Sequence, residues 1–142
     1  ELEGVRMAMP QLKRIARDLA GYNLPDTLGH GDLHPGNIAR RDGAYVFFDW
    51  GLGRVTHPFL DAWHYIVESE MQSIPEDEYL ALWADYESRE RLHEALILTK
   101  PLYYLSRAID QCYFNLNFRL PEDTREWLAN HLRMILNLVE TK

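Results

Sequence analysis

Four polar residues crowd a short stretch of chain: His30, Asp32, His34 and Asn37 lie among Gly29, Gly31, Pro35 and Gly36. Small residues and proline leave little there to pack, so the stretch reads as loop. Polar side chains on a loop between rigid elements are well placed for chemistry. Twelve positions after Asn37, Asp49 closes an apolar run and is followed by Trp50-Gly51. An Asp, an Asn five positions later and an Asp at a strand end suit phosphoryl transfer. One carboxylate orients the attacking hydroxyl and accepts its proton. The remaining oxygens hold a divalent metal, since magnesium prefers carboxylate and carbonyl oxygen.

Plainer readings stand beside this one. Asp32 alone is an ordinary residue for an Asx-turn, and Asp49 for a cap before Gly51. Asn37 alone could be a satisfied loop amide. His30, Asp32 and His34, with His57 and His64 enlisted, could instead form a transition-metal cluster and a metal-dependent hydrolase. Asp61 fits simple charge stabilisation at a helix N-terminus. Trp63, Tyr65, Trp83, Tyr86, Tyr103, Tyr104, Tyr113 and Phe114 invite an aromatic cage for a cation, but suit a core equally. Glu68, Glu70, Glu76, Asp77 and Glu78 could meet a cationic ligand, or form a solvated helix face.

The elements that must position the loop follow from periodicity. Leu12, Ile15, Ala16 and Leu19 predict a helix over 10–20, with Pro10 in its first turn, residues before it in a separate turn, and Gly21 at the C-terminal cap. Asp42-Gly43 between two strand-like runs predicts a tight hairpin over 38–48. Its second run is almost wholly apolar, which predicts a buried strand. From Pro58 the pattern is helical to 141, with Leu60, Trp63, His64 and Val67 on one face. Ser73-Ile74-Pro75-Glu76 resembles a capping box, and Leu80, Trp83, Ala84 and Glu87 follow as a stripe. A long helix is expected over 92–115, kinked or split at Pro101. The last opens at Pro121-Glu122-Asp123, with Trp127, Leu128, Leu132, Ile135 and Leu138 inward. The fold class is α+β and predominantly helical: a single domain over 1–142, with catalytic loop 29–37, hairpin 38–48, metal-binding segment 48–51 and helical bundle 58–141.

Composition narrows the classes. A hydrophobic fraction of 46% in 142 residues supports a core, and a single cysteine, Cys112, excludes a disulfide framework. A net charge of −7 with scattered basic residues argues against nucleic acid as partner. No apolar run reaches the ~20 residues of a membrane helix, and the N-terminus lacks signal-peptide order, so a cytoplasmic location is expected. The chain begins without Met, and so reads as a processed or excised segment.

His30-Gly31-Asp32-Leu33-His34-Pro35-Gly36-Asn37, Phe48-Asp49-Trp50-Gly51 and Pro58-Phe59-Leu60-Asp61 resemble the motifs of the aminoglycoside phosphotransferase/choline kinase-like family. Protein kinases share the order but usually have Arg after the His. The resemblance covers about 10–138, and its specificity rests on 29–61. It implies the C-terminal lobe of a kinase-like fold, with magnesium as cofactor and ATP or GTP as co-substrate. It implies Asp32 as catalytic base and Asn37 and Asp49 as magnesium ligands. His30 and Asp61 are supporting residues, and His34 lies near phosphate or substrate without a fixed role. Lys13, Lys100 and Lys142 lie in no apolar strand, and no Gly-rich loop precedes one. The N-terminal nucleotide lobe therefore reads as absent, and the chain alone is expected to be weakly active or inactive. The acceptor is a small-molecule hydroxyl that the sequence does not name. The alternative is a non-catalytic interaction module, whose exposed lobe face would bind a partner or a second copy.

Overall fold

The computed structural model describes residues 2–63, 75–117 and 124–140. The described residues are mostly helical, with four short strands, and the chain divides into two compact units. One comprises Glu1–Tyr22 with Ala95–Lys142, the other Asn23–Glu94.

The first unit contains α1 (Leu2–Leu19), most of α4 (Arg89–Asn117) and α5 (Thr124–Glu140). Val5, Leu12, Ile15 and Leu19 bury one stripe of α1, which packs on α5, where Leu132, Ile135 and Val139 are buried. Trp127, Leu128 and Leu138 are only half-buried. The Gln11 amide ties the two helices by donating to the Val139 carbonyl at 2.8 Å. Pro10 departs from the expectation of a helix start: α1 runs through it unbroken. Interior proline costs a helix roughly 3 kcal/mol. Here Pro10 and Arg6, whose carbonyl loses its partner, are both exposed, so the lost bond falls on the solvent side of the helix. The apolar stripe continues on both sides, and each large buried side chain returns about 1.5–3 kcal/mol. Pro101 likewise fails to split α4, which is one helix across it. Ile97, the residue one turn before, is exposed.

The second unit holds the strands. β1 (Thr27–Gly29) pairs antiparallel with β4 (Arg54–Thr56), placing Gly29 opposite Arg54. β2 (Ile38–Arg41) pairs with β3 (Ala44–Phe47), Ile38 opposite Phe47. Asp42 and Gly43 have φ of 50° and 83°. Two positive φ values make the two-residue turn whose twist suits a hairpin, as expected. β3 is not buried, contrary to the expectation: Tyr45 is 68% and Phe47 44% exposed. An apolar run is buried only where a second layer closes over it, and a two-stranded ribbon offers none of its own. The sequence pattern places no strand at β1 or β4, since three residues each are too few to show alternation.

After β4 come α2 (Phe59–Trp63) and α3 (Glu76–Ala81). Phe59 is fully buried, with its ring edge-on to Tyr79 at 5.6 Å and Trp83 at 5.7 Å. Pro75 sits at the cap of α3 with no side-chain capping bond, and three acidic residues fill the first turn, where the helix dipole favours them. Ser73 and Ile74 of the expected capping box, and His64 and Val67 of the expected stripe, lie outside the described residues, as does the opening Pro121-Glu122-Asp123. The stripe from Leu80 ends early: α3 stops at Ala81, and Ala84 is exposed. α4 then starts before Leu92, with Ser88 Oγ accepting the Arg91 amide at 3.4 Å.

Candidate active site

The loop leaves β1 at Gly29 and is clamped at once. Asp61, in the first turn of α2, accepts the His30 amide at 2.5 Å and the Gly31 amide at 3.0 Å on its two carboxylate oxygens. Charge-assisted bonds to backbone are among the stronger ones available. Gly31 has φ of +79°, and a Cβ there would lie 2.5 Å from the Leu52 carbonyl oxygen. Only glycine allows both that turn and that approach. The loop thus runs hard against the 3₁₀ turn Trp50–Leu52.

His30 then joins the loop to the end of β3. Its Nε2 lies 2.8 Å from the Phe48 carbonyl. A carbonyl only accepts, so the proton sits on Nε2. That leaves Nδ1 to accept the Asp32 amide, at 3.3 Å. The ring, 3% exposed, tilts against Trp50 with centroids 4.6 Å apart. Trp50 is held in turn by Nε1 donating to the Phe47 carbonyl at 3.0 Å.

Asn37 closes the other end of the loop. It ends the 3₁₀ turn Pro35–Asn37, and its amide nitrogen donates to the His34 carbonyl at 2.9 Å. Its side-chain Nδ2 donates to the Asp32 carbonyl at 2.9 Å and lies 3.5 Å from Asp32 Oδ2. Its own carbonyl accepts the Phe48 amide at 3.1 Å. The peptide groups flanking Phe48 are therefore held by Asn37 on one side and His30 on the other. Asp49 follows directly, in the left-handed region with φ 61° and ψ 56°. A non-glycine residue there is uncommon, though Asp tolerates it, and such residues concentrate at functional sites.

His34 caps the 3₁₀ turn, its Nδ1 accepting the Gly36 amide at 3.1 Å. Its Nε2 faces Asp32 Oδ2 at 3.7 Å, too long for a hydrogen bond but close enough to feel the carboxylate. His30, Asp32, His34, Asn37 and Asp61 are thus joined by side-chain contacts, and Asp49 joins them through backbone. The transition-metal cluster finds no support: both His30 nitrogens are engaged, one by the Phe48 carbonyl and the other by the Asp32 amide. Among the described residues no three His, Cys, Asp or Glu are grouped to hold a metal.

Other sequence candidates fall elsewhere. Trp63, Tyr103 and Tyr104 are core residues, and Tyr65 lies outside the described residues. Glu76 pairs with His93 at 2.9 Å and Asp77 with Arg89 at 2.7 Å, while Glu68 and Glu70 are not described. Sequence reasoning missed the parts played by Leu52 and by the backbone of Phe48. Peptide groups carry no sequence signature, but the glycine at 31 was a cue to a close approach.

Comparison with known proteins bears on this stretch. No curated protein and no solved structure matches the chain. The model of the phosphotransferase enzyme family matches residues 4–96, which include the loop, the strand-end Asp49 and the Asp61 clamp. The match covers well over half of the chain, and the protein belongs to the phosphotransferase enzyme family.

Proposed function

We propose that this chain carries the catalytic and metal-binding half of a phosphotransferase that moves the γ-phosphate of ATP or GTP to a small-molecule hydroxyl. Asp32 orients that hydroxyl and accepts its proton. Asn37 and Asp49 hold magnesium. His30 and Asp61 fix the loop, and His34 lies beside Asp32 on the phosphate or acceptor side. The chain corresponds to the C-terminal lobe of a kinase-like fold, in a cytoplasmic setting.

The observation that carries the reading is the Asn37 side chain. Its Nδ2 is spent on Asp32, which leaves Oδ1 as the end able to meet a cation. Asp49 adds a carboxylate on an exposed residue next to the Phe48 peptide that Asn37 accepts. Two hard oxygen donors fit magnesium, which usually takes few protein ligands and completes its shell with phosphate and water. When bound, that ion would neutralise charge developing on the transferred phosphoryl group.

Lys13 and Lys100 both lie on helices, so the lysine that clamps a triphosphate from a strand is not among the described residues. Transition-state stabilisation by one such donor is worth about 3–4 kcal/mol, so turnover by this chain alone is expected to be slow. Calorimetric titration with ATP and magnesium, beside an Asp49→Asn variant, tests the reading. Magnesium-dependent binding that the variant loses supports it. Absence of binding to either chain counts against a preformed half-site.

The exposed apolar run Tyr45–Phe48 favours a second reading, an interaction module that docks a partner lobe or a second copy through the hairpin. Concentration-dependent dimerisation without nucleotide binding would favour it.

A further inference from the structure

The corner between β4 and α2 holds a histidine outside the loop network. Nδ1 of His57 accepts the Phe59 amide at 3.2 Å, and its carbonyl accepts the Leu60 amide at 3.2 Å. With Nδ1 accepting, the ring proton sits on Nε2, which is buried and has no hydrogen-bond partner among the described residues. An orphaned buried donor is a cost that an apolar ring would avoid, so the accepting nitrogen is what sets histidine apart here. The ring stands edge-on to Phe59 at 5.1 Å. Tyr79 braces the intervening residue, its hydroxyl donating to the Pro58 carbonyl at 3.1 Å. Two residues beyond Phe59 is Asp61, whose carboxylate seats the His30 and Gly31 amides.

We propose that His57 is a positioning residue: by accepting the Phe59 amide it sets how α2 leaves β4, and so seats the Asp61 carboxylate under the loop that carries Asp32. Its relevance to phosphoryl transfer rests on the reading above; the geometry does not. A merely structural histidine would stabilise the second unit as a whole. A positioning histidine governs two particular amides.

The test is residue-resolved amide exchange by NMR on the 142-residue chain, wild type beside His57→Leu and His57→Asn. Leucine fills the site without an acceptor, whereas asparagine restores an acceptor oxygen. In the leucine variant the His30 and Gly31 amides are expected to exchange about fivefold faster, the change from losing one bond of helix-cap type. Buried Leu80 and Leu92 keep their rates, and asparagine returns the two amides to within twofold of wild type. Unchanged rates at His30 and Gly31 in the leucine variant, or equal acceleration at Leu80 and Leu92, overturn the proposal. If the leucine variant does not fold, the asparagine variant decides: wild-type rates support the proposal and faster rates at the two amides overturn it. Failure of magnesium-dependent nucleotide binding by the wild type would count against the preformed half-site and leave the amide readout intact.

Discussion

The side-chain amide of Asn37 donates to the backbone carbonyl of Asp32 at 2.9 Å, so a single side chain fastens the end of the loop back onto the residue at its middle. Replacing it by Asp turns the donor into an acceptor that faces a carbonyl and a carboxylate. Asn37→Asp is expected to cost about 1–3 kcal/mol of stability, the usual penalty for an unsatisfied buried group, and to weaken magnesium-dependent nucleotide binding. Urea unfolding and calorimetry on the same sample check both halves. A variant with unchanged stability would show that the bond contributes nothing.

Asp61 serves two amides with one carboxylate. Asp61→Ala strands both, and is expected to cost about 2–4 kcal/mol. Asp61→Asn keeps one acceptor and should cost about half as much. The midpoint of urea unfolding distinguishes them, and equal losses would refute the two-bond account.

Gly31 combines φ of +79° with a Leu52 carbonyl oxygen 2.5 Å from where a Cβ would stand. Gly31→Ala is therefore expected to cost roughly 2–4 kcal/mol, more than backbone strain alone. It should also shift the Trp50 indole resonance, because the turn that bears Trp50 must move aside.

Asp49 is a carboxylate on a conformation that glycine prefers. Asp49→Gly is expected to leave stability unchanged or raise it by up to about 1 kcal/mol, while abolishing magnesium-dependent binding. A variant both less stable and still competent would contradict the metal role and the strain together.

Burial lowers the His57 pKa from its ordinary 6.5 to about 4, against the opposing pull of Asp26. The folded state therefore prefers the neutral ring. This contribution is fully present above about pH 6.5, falls as pH drops to about 4, and changes no further below. Its size is on the order of 1–2 kcal/mol once the ring's remaining solvent contact is allowed for. Stability of wild type minus His57→Asn, followed by urea unfolding between pH 7 and 3.5, isolates it from the carboxylates. A flat difference would remove the histidine from the acid response.

Legibility in the sequence followed the range of the forces involved. Asp42-Gly43 encodes its turn through two residues' own torsions, so the hairpin could be placed closely. The candidate site residues could be named because phosphoryl chemistry needs particular groups at particular spacing, and the stretch that holds them lies within the family match. Pro10 misled because its local cost is outweighed by a stripe that packs on α5, a helix more than a hundred residues later in the chain. β3 misled because apolar composition reports what a strand could bury, not whether a second layer is there. β1 and β4 stayed hidden because three-residue strands are set by their pairing rather than by any pattern of their own.

The site's hydrogen bonds have a consequence for how it forms. The Asn37–Asp32 bond spans 5 residues, His30–Phe48 spans 18 and His30–Asp61 spans 31. Contact order over the site is therefore low, and loop-closure entropy grows only with the logarithm of such lengths. The candidate catalytic loop and its brace assemble from one uninterrupted stretch of chain, with the tight hairpin as the hinge about which both ends meet. Such a stretch behaves as a single cooperative unit: Asn37, Phe48 and Gly31 should gain exchange protection together, in one kinetic phase.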